Sequence, residues 1–193
     1  MSESQSVRIR DPDRRDRILR AAAGLLAERG FHAVSMADIG GAAGIVGSGV
    51  YRHFESKSAV LVALLDEVME RLLTSAADAV GSGRPDSEVL ADMVRGQVSF
   101  AVDDALLLRL YQQEVHTLPE ADRRRLRRLQ RHYVEEWVHT LRELRPELPD
   151  APARARVHAA IGAIQSAVTW NAGLPREELR ALLTDCAGRC LSA

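Results

Sequence analysis

The stretch Gly41–Lys57, GAAGIVGSGVYRHFESK, carries the residues best suited to chemistry. Its glycines suit a loop that cradles a nucleotide phosphate. Its Tyr51, Arg52, His53 and Lys57 suit donation to the backbone phosphates of a nucleic acid. A P-loop needs GxxxxGK followed by Ser or Thr after a strand, and here no Gly is followed by Lys. The dinucleotide fingerprint GxGxxG fails too, because Gly47-Ser48-Gly49 leads into Tyr51 and Arg52. A helix-turn-helix fits better, since two short helices meeting at a tight turn need glycine there. With Gly44 in the turn, Ile39, Ala43, Ile45 and Val50 fall where the helices pack. Gly40 falls at their closest approach, where a large side chain has no room. The competing reading is a glycine-rich bend between two core helices.

Other clusters are weaker. His132, Glu136 and His139 recur at i, i+4, i+7, a spacing that suits either a metal face or a solvated helix surface. Cys186 and Cys190 share a helix face, but CxxxC supplies too few ligands for zinc and reads as two small core residues. The run Arg123–Arg131, RRRLRRLQR, reads as a solvated face or a site for an anionic ligand. No Ser/His/Asp set or paired carboxylates stand out, so neither an enzyme nor a cofactor or metal is expected.

The elements that must position these residues all read as helix. Asp11-Pro12 suits a helix start, with Asp as N-cap and Pro in the first turn. Ile18, Ala22, Leu25 and Leu26 make its stripe and Gly30 its end. Ser35-Met36-Ala37-Asp38 has the form of a capping box. Another short segment covers about 47–53. Ser56 caps a long helix bearing Val60, Leu61, Leu64, Leu65, Val68 and Leu72. Further helices are expected over about 89–101, 103–114, 119–144, 152–171 and 175–190, the penultimate one stopped by Asn171-Ala172-Gly173. The fold class is therefore all-α, with about nine helices. Residues 1–57 form a helix-turn-helix domain and residues 58–193 a larger helical domain.

Phe31–Lys57, FHAVSMADIGGAAGIVGSGVYRHFESK, resembles the DNA-binding segment of the TetR family of bacterial transcriptional regulators. That pattern runs from an aromatic after Gly, through a Ser/Thr cap, an apolar-Ile pair and an Ala-Gly turn, to Tyr-x-x-Phe-x-x-Lys. Gly30-Phe31, Ser35, Met36, Ile39, Ala43-Gly44, Tyr51, Phe54 and Lys57 match it. The resemblance implies that the second helix of the motif enters the major groove. It places Gly47, Ser48, Gly49, Tyr51, Arg52 and His53 at base and backbone contacts, and Ser35 and Lys57 at phosphates. Ile39 and Phe54 are expected to be core. Lys57 stands out on electrostatic grounds, because a cation at a helix start opposes the helix dipole. It is the one Lys beside 25 Arg. A phosphate lying across that helix start would account for it, as would a plain surface lysine. Gly47 and Gly49 depart from the pattern, weaken the helix and offer nothing to base edges. Ser48 and Arg52 are then the candidates for reading bases, with Val46 against a thymine methyl.

Composition is compatible with this. Apolar residues make up 46% of the 193 residues, so a packed core is expected, and aromatics only 4%, which favours helix over sheet. Net charge is −1, but residues 1–57 hold nine basic against seven acidic side chains. No apolar run approaches the ~18 residues of a membrane span. The polar start MSESQSVRIRDPDRRDR lacks a signal-peptide core, so a cytoplasmic protein without membrane contact is expected.

The larger domain should bind a ligand and dimerise. A protein of this kind presents two motifs to the two half-sites of a palindromic double-stranded operator. The Ala-rich helices over 152–190 suit the homodimer surface. Gln97, Tyr111, Gln165 and Thr169 are polar positions on apolar faces that suit a cavity, with Phe100, Leu107, Tyr133, Trp137 and Trp170 as walls. The segment Tyr111–Trp137 resembles regulators that sense fatty acyl-CoA or related acids, which implies a small apolar or acyl ligand. The overall expectation is a ligand-released repressor. The alternative is a helical carrier or enzyme acting on an apolar ligand without DNA.

Overall fold

A computed structural model of the protein describes residues 12–45, 47–170 and 173–192. Among them are eight α-helices, three short 3-10 segments and no strand, in keeping with the all-α reading. The chain divides into two compact units, residues 1–61 and 62–193.

In the first unit, α1 (Pro12–Arg29) buries Ile18, Leu19, Ala22, Ala23 and Leu26. The Asp11 cap lies outside the described residues. The capping box at α2 (Met36–Ala42) is present in full. Asp38 N donates to Ser35 Oγ at 3.1 Å, and Ser35 N donates to the Asp38 carboxylate at 2.8 Å. The chain then turns through Gly44, whose φ of +67° is a conformation that L side chains rarely adopt. A 3-10 segment, Gly47–Arg52, follows. Ile39, Ile45, Val50 and Phe54 are buried between these pieces. The close approach expected at Gly40 is real: a Cβ there would lie 3.0 Å from both the Ile45 carbonyl oxygen and Val50 Cγ2. A long helix, α3 (Lys57–Val80), begins in this unit, with Ser56 Oγ accepting from Ala59 N.

The second unit is built from the rest of α3 and from α4 (Asp86–Asp103), α5 (Ala105–Glu114), α6 (Glu120–Leu144), α7 (Asp150–Gln165) and α8 (Arg176–Ser192). Helix α7 packs along α8 and α6, and α4 packs on α6 and α8. The core follows the helical spacing, with Leu64, Leu65 and Val68 on α3, Met93, Gln97 and Ala101 on α4, and Leu126, Tyr133, Trp137 and Leu141 on α6. Bidentate Arg125–Asp66 and Arg71–Asp104 pairs tie α6 to α3 and α3 to the start of α5. All are partly exposed, a setting in which an ion pair contributes about 0–1 kcal/mol.

The end of the penultimate helix differs from expectation. The helix expected over 152–171 ends at Gln165 and tightens into a 3-10 segment, Ser166–Val168. Ser166 Oγ donates to the Ala163 carbonyl at 2.7 Å, and Thr169 Oγ1 donates to the Ser166 carbonyl at 2.9 Å. Such local side-chain bonds compete with helix continuation. Asn171 and Ala172, the expected stop, lie outside the described residues.

Candidate nucleic-acid interface and buried polar cluster

The 3-10 segment displays its polar residues. Tyr51 is 59% exposed, Arg52 is exposed and His53 is half-buried. Phe54 turns inward, with the Arg15 guanidinium over its ring at 5.3 Å. Val46 and the side chain of Ser48 lie outside the described residues. Gly49 has a steric reason that the sequence hid. A Cβ on it would lie 2.5 Å from Ile45 Cγ2, so the residue that packs the turn occupies the space a side chain would need.

Ser35 is exposed, and its hydroxyl donates to the Asp38 carboxylate at 2.5 Å. The Ser35 hydroxyl, followed by its backbone N–H, holds the Asp38 carboxyl below its ordinary value. Lys57 is half-buried. Its ammonium donates to the Val34 carbonyl at 2.6 Å and to the Phe31 carbonyl, and it sits 4.3 Å from the centre of the Phe31 ring. Two carbonyl dipoles and an aromatic face thus offset the unfavourable helix dipole, so a phosphate is not needed to explain a cation there. An ammonium has three N–H groups, so the third is still available to a phosphate.

In the second unit, the proposed lining residues separate into three groups by burial. Gln97, Phe100, Tyr133 and Trp137 are buried together on α4 and α6. Tyr133 Oη donates to Gln97 Oε1 at 2.6 Å, and the Tyr133 and Trp137 rings meet edge-on at 6.0 Å. Burial pushes the Tyr133 phenol well above its ordinary value. The Trp137 indole opposes that shift in smaller part, although its Nε1 reaches no acceptor in hydrogen-bond geometry. Gln97 Nε2 is likewise buried and unpartnered. Leu107, Tyr111 and Gln165 are half-buried, and burial alone raises the Tyr111 phenol. Thr169 and Trp170 follow the shortened α7 and are exposed, Trp170 by 72%.

The remaining candidates are dispersed. His132 lies 3.7 Å from Glu136, and His139 lies 3.9 Å from Glu143. Among the described residues no three metal-ligating side chains converge. Cys186 and Cys190 are free thiols, half-buried rather than core. Within the arginine run, Arg123 and Arg124 pair with Glu120, and Arg125 pairs with Asp66.

Residues 18–64 match the model of bacterial regulatory proteins of the tetR family, and residues 83–187 match the tetracyclin repressor-like C-terminal domain. The chain belongs to the TetR family. Over 131 residues it is 33% identical to the HTH-type transcriptional repressor KstR2 of Rhodococcus jostii (strain RHA1). That match covers 66% of this chain and 63% of the relative, so it spans less than two thirds of the relative's length. The structure of the ketosteroid transcriptional regulator KstR2 of Mycobacterium tuberculosis superposes with a TM-score of 0.75 at 25% identity, over 91% of this chain and 94% of that one. AibR in complex with isovaleryl coenzyme A and operator DNA shares the fold, with a TM-score of 0.76 at 19% identity over 89% and 96%. These TetR-family relatives are transcriptional regulators. Among the described residues, no helix is long and apolar enough to cross a membrane.

Proposed function

We propose that this protein is a transcriptional repressor that binds a palindromic DNA operator as a homodimer and leaves it when a small apolar or acyl ligand enters the second unit. The observation that carries this reading is the turn at Gly44 leading into a segment that exposes Tyr51 and Arg52 above a buried Ile39–Val50–Phe54 base. Tyr51 and Lys57, with Ser35, contact phosphates. Ser48 and Arg52 read bases, while Gly47 and Gly49 allow close backbone approach and His53 borders the contact. The exposed Ala155, Ala159 and Gly162 on α7 and Leu182 on α8 support dimerisation through residues 152–190, because small side chains let helices approach closely. The ligand occupies the neighbourhood of Gln97, Phe100, Leu107, Tyr111, Tyr133, Trp137 and Gln165, with Thr169 and Trp170 at its outer edge. AibR, solved with isovaleryl coenzyme A, and KstR2, a ketosteroid regulator, support an acyl or ketonic ligand. Cytoplasmic location accords with this role.

The two motifs of a dimer must sit ~34–36 Å apart to enter successive major grooves. A ligand that disfavours that spacing by ~2.7 kcal/mol weakens DNA binding about 100-fold. The test is a gel shift of the DNA upstream of the protein's own gene, with a scrambled duplex as control and operator variants read against Arg52→Ala. Specific binding whose preference at one operator position is lost in Arg52→Ala is expected. Equal affinity for operator and scrambled DNA would refute the reading.

A further inference from the structure

Three polar residues other than tyrosine are buried among the described residues: Gln97, Glu114 and Thr140. Thr140 is satisfied locally, its hydroxyl donating to the Glu136 carbonyl at 2.9 Å. Gln97 is 1% exposed and differs. The Tyr133 hydroxyl donates to its oxygen, and its Nε2, a donor, is without a partner. Trp137, fully buried beside Tyr133, holds a second unpartnered donor at Nε1. A buried donor left unmade is costly, and an apolar pair of the same shape would avoid that cost. Gln97, Tyr133 and Trp137 are uncharged, and the Arg71 guanidinium over the neighbouring Phe100 ring is already paired with Asp104, so an anion placed on these donors would find no countercharge among them.

We infer that the Gln97–Tyr133–Trp137 cluster recognises the oxygen of an uncharged carbonyl, as in a ketone, ester or thioester, on the ligand of the second unit. This rests on the ligand-responsive reading above and narrows it. Gln97 Nε2 and Trp137 Nε1 donate to the carbonyl oxygen, and Tyr133 holds the Gln97 amide in the donating orientation. A free carboxylate is disfavoured at this position. An acyl ligand therefore enters with its carbonyl esterified or as a ketone, and any charged portion stays outside the core.

The probes are cyclohexanone, its isosteric hydrocarbon methylenecyclohexane, and cyclohexanecarboxylate, titrated into the full-length chain by nuclear magnetic resonance. Cyclohexanone should move the Gln97 side-chain amide and Trp137 indole protons downfield, and methylenecyclohexane should not. Cyclohexanecarboxylate should bind more weakly than the ketone. The preference for ketone over hydrocarbon should fall about tenfold, the scale of one hydrogen bond, in Gln97→Met. Gln97→Met leaves the Tyr133 hydroxyl without its acceptor, so the paired variant Gln97→Met/Tyr133→Phe is measured beside it. A preference unchanged by either variant, as expected if these donors only hold water, would overturn the inference. So would tighter binding of the carboxylate, or no ketone-induced shift in the unsubstituted chain. Operator binding by the same preparation is measured without any probe, so a failed carbonyl site leaves the repressor reading standing, and a failed operator assay is seen separately.

Discussion

The two units place their polar groups in opposite ways. In the first, Tyr51 and Arg52 face solvent, and Lys57, a cation drawn inward, is bonded to two carbonyls. In the second, surface charges pair with one another, while Gln97 and Trp137 hold unpartnered donors in the core. On the function proposed above, a surface that meets a polyanion keeps its donors outward on a satisfied base, and a core that meets a small molecule keeps them inward at a cost to its own stability.

The strongest way to break this contrast is Trp137→Ala. Trp137 is fully buried, so its truncation should cost about 3–5 kcal/mol, seen as a lower midpoint in denaturant for the second unit. Amide exchange in α1 and α2 should change little. Equal loss of protection in both units would show that they unfold as one. Gly40→Val comes next. It overfills the approach to Ile45 and Val50, and overpacking costs about 1–3 kcal/mol. Operator affinity should collapse, while dimer mass by light scattering persists.

The motif was legible in the sequence because its geometry restricts residue types. Only a small residue fits at Gly40, and only glycine is at ease at Gly44. The Ser35–Asp38 box follows from two residues three apart, and the core positions Ile39 and Phe54 follow from the same template. What escaped depends on atoms far apart in sequence. The carbonyls of Phe31 and Val34 are presented to Lys57 by a loop whose path no local pattern encodes. Gly49 read as a departure because the obstructing group is a side-chain methyl of Ile45. In the second unit, helical spacing placed Gln97, Tyr133 and Trp137 on inward faces. It carried Thr169 and Trp170 along, because spacing cannot report that α7 ends early.

Two smaller effects sharpen the contrast. Lys57→Ala leaves two partly buried carbonyls without their donor, for about 1–2 kcal/mol of the first unit's stability. Its effect on salt dependence separates two roles. A phosphate contact predicts a slope of log affinity against log salt shallower by about 0.9, whereas a purely internal role leaves the slope unchanged. Ser35→Ala removes the N-cap of α2 and should cost about 1 kcal/mol, read as a lower thermal midpoint. The same box has a pH signature. Because the folded Asp38 carboxyl is depressed, its contribution is complete above the ordinary carboxylate value and is lost as pH falls through the depressed one. Ser35→Ala should flatten that acid limb.

A chain with one lysine carries one ε-amine, and here that amine is engaged. Acylating reagents need the neutral, unbonded amine, so in the folded protein Lys57 should react slowly, and only when the loop carrying Phe31 and Val34 lets go. Once acylated, it cannot return to its place, because the charge and two of its three hydrogens are gone. The covalent mark therefore accumulates as a clock of openings in the first unit, readable by the mass of the peptide that carries Lys57 in the unsubstituted protein. Bound operator should slow that clock, and ligand alone should not.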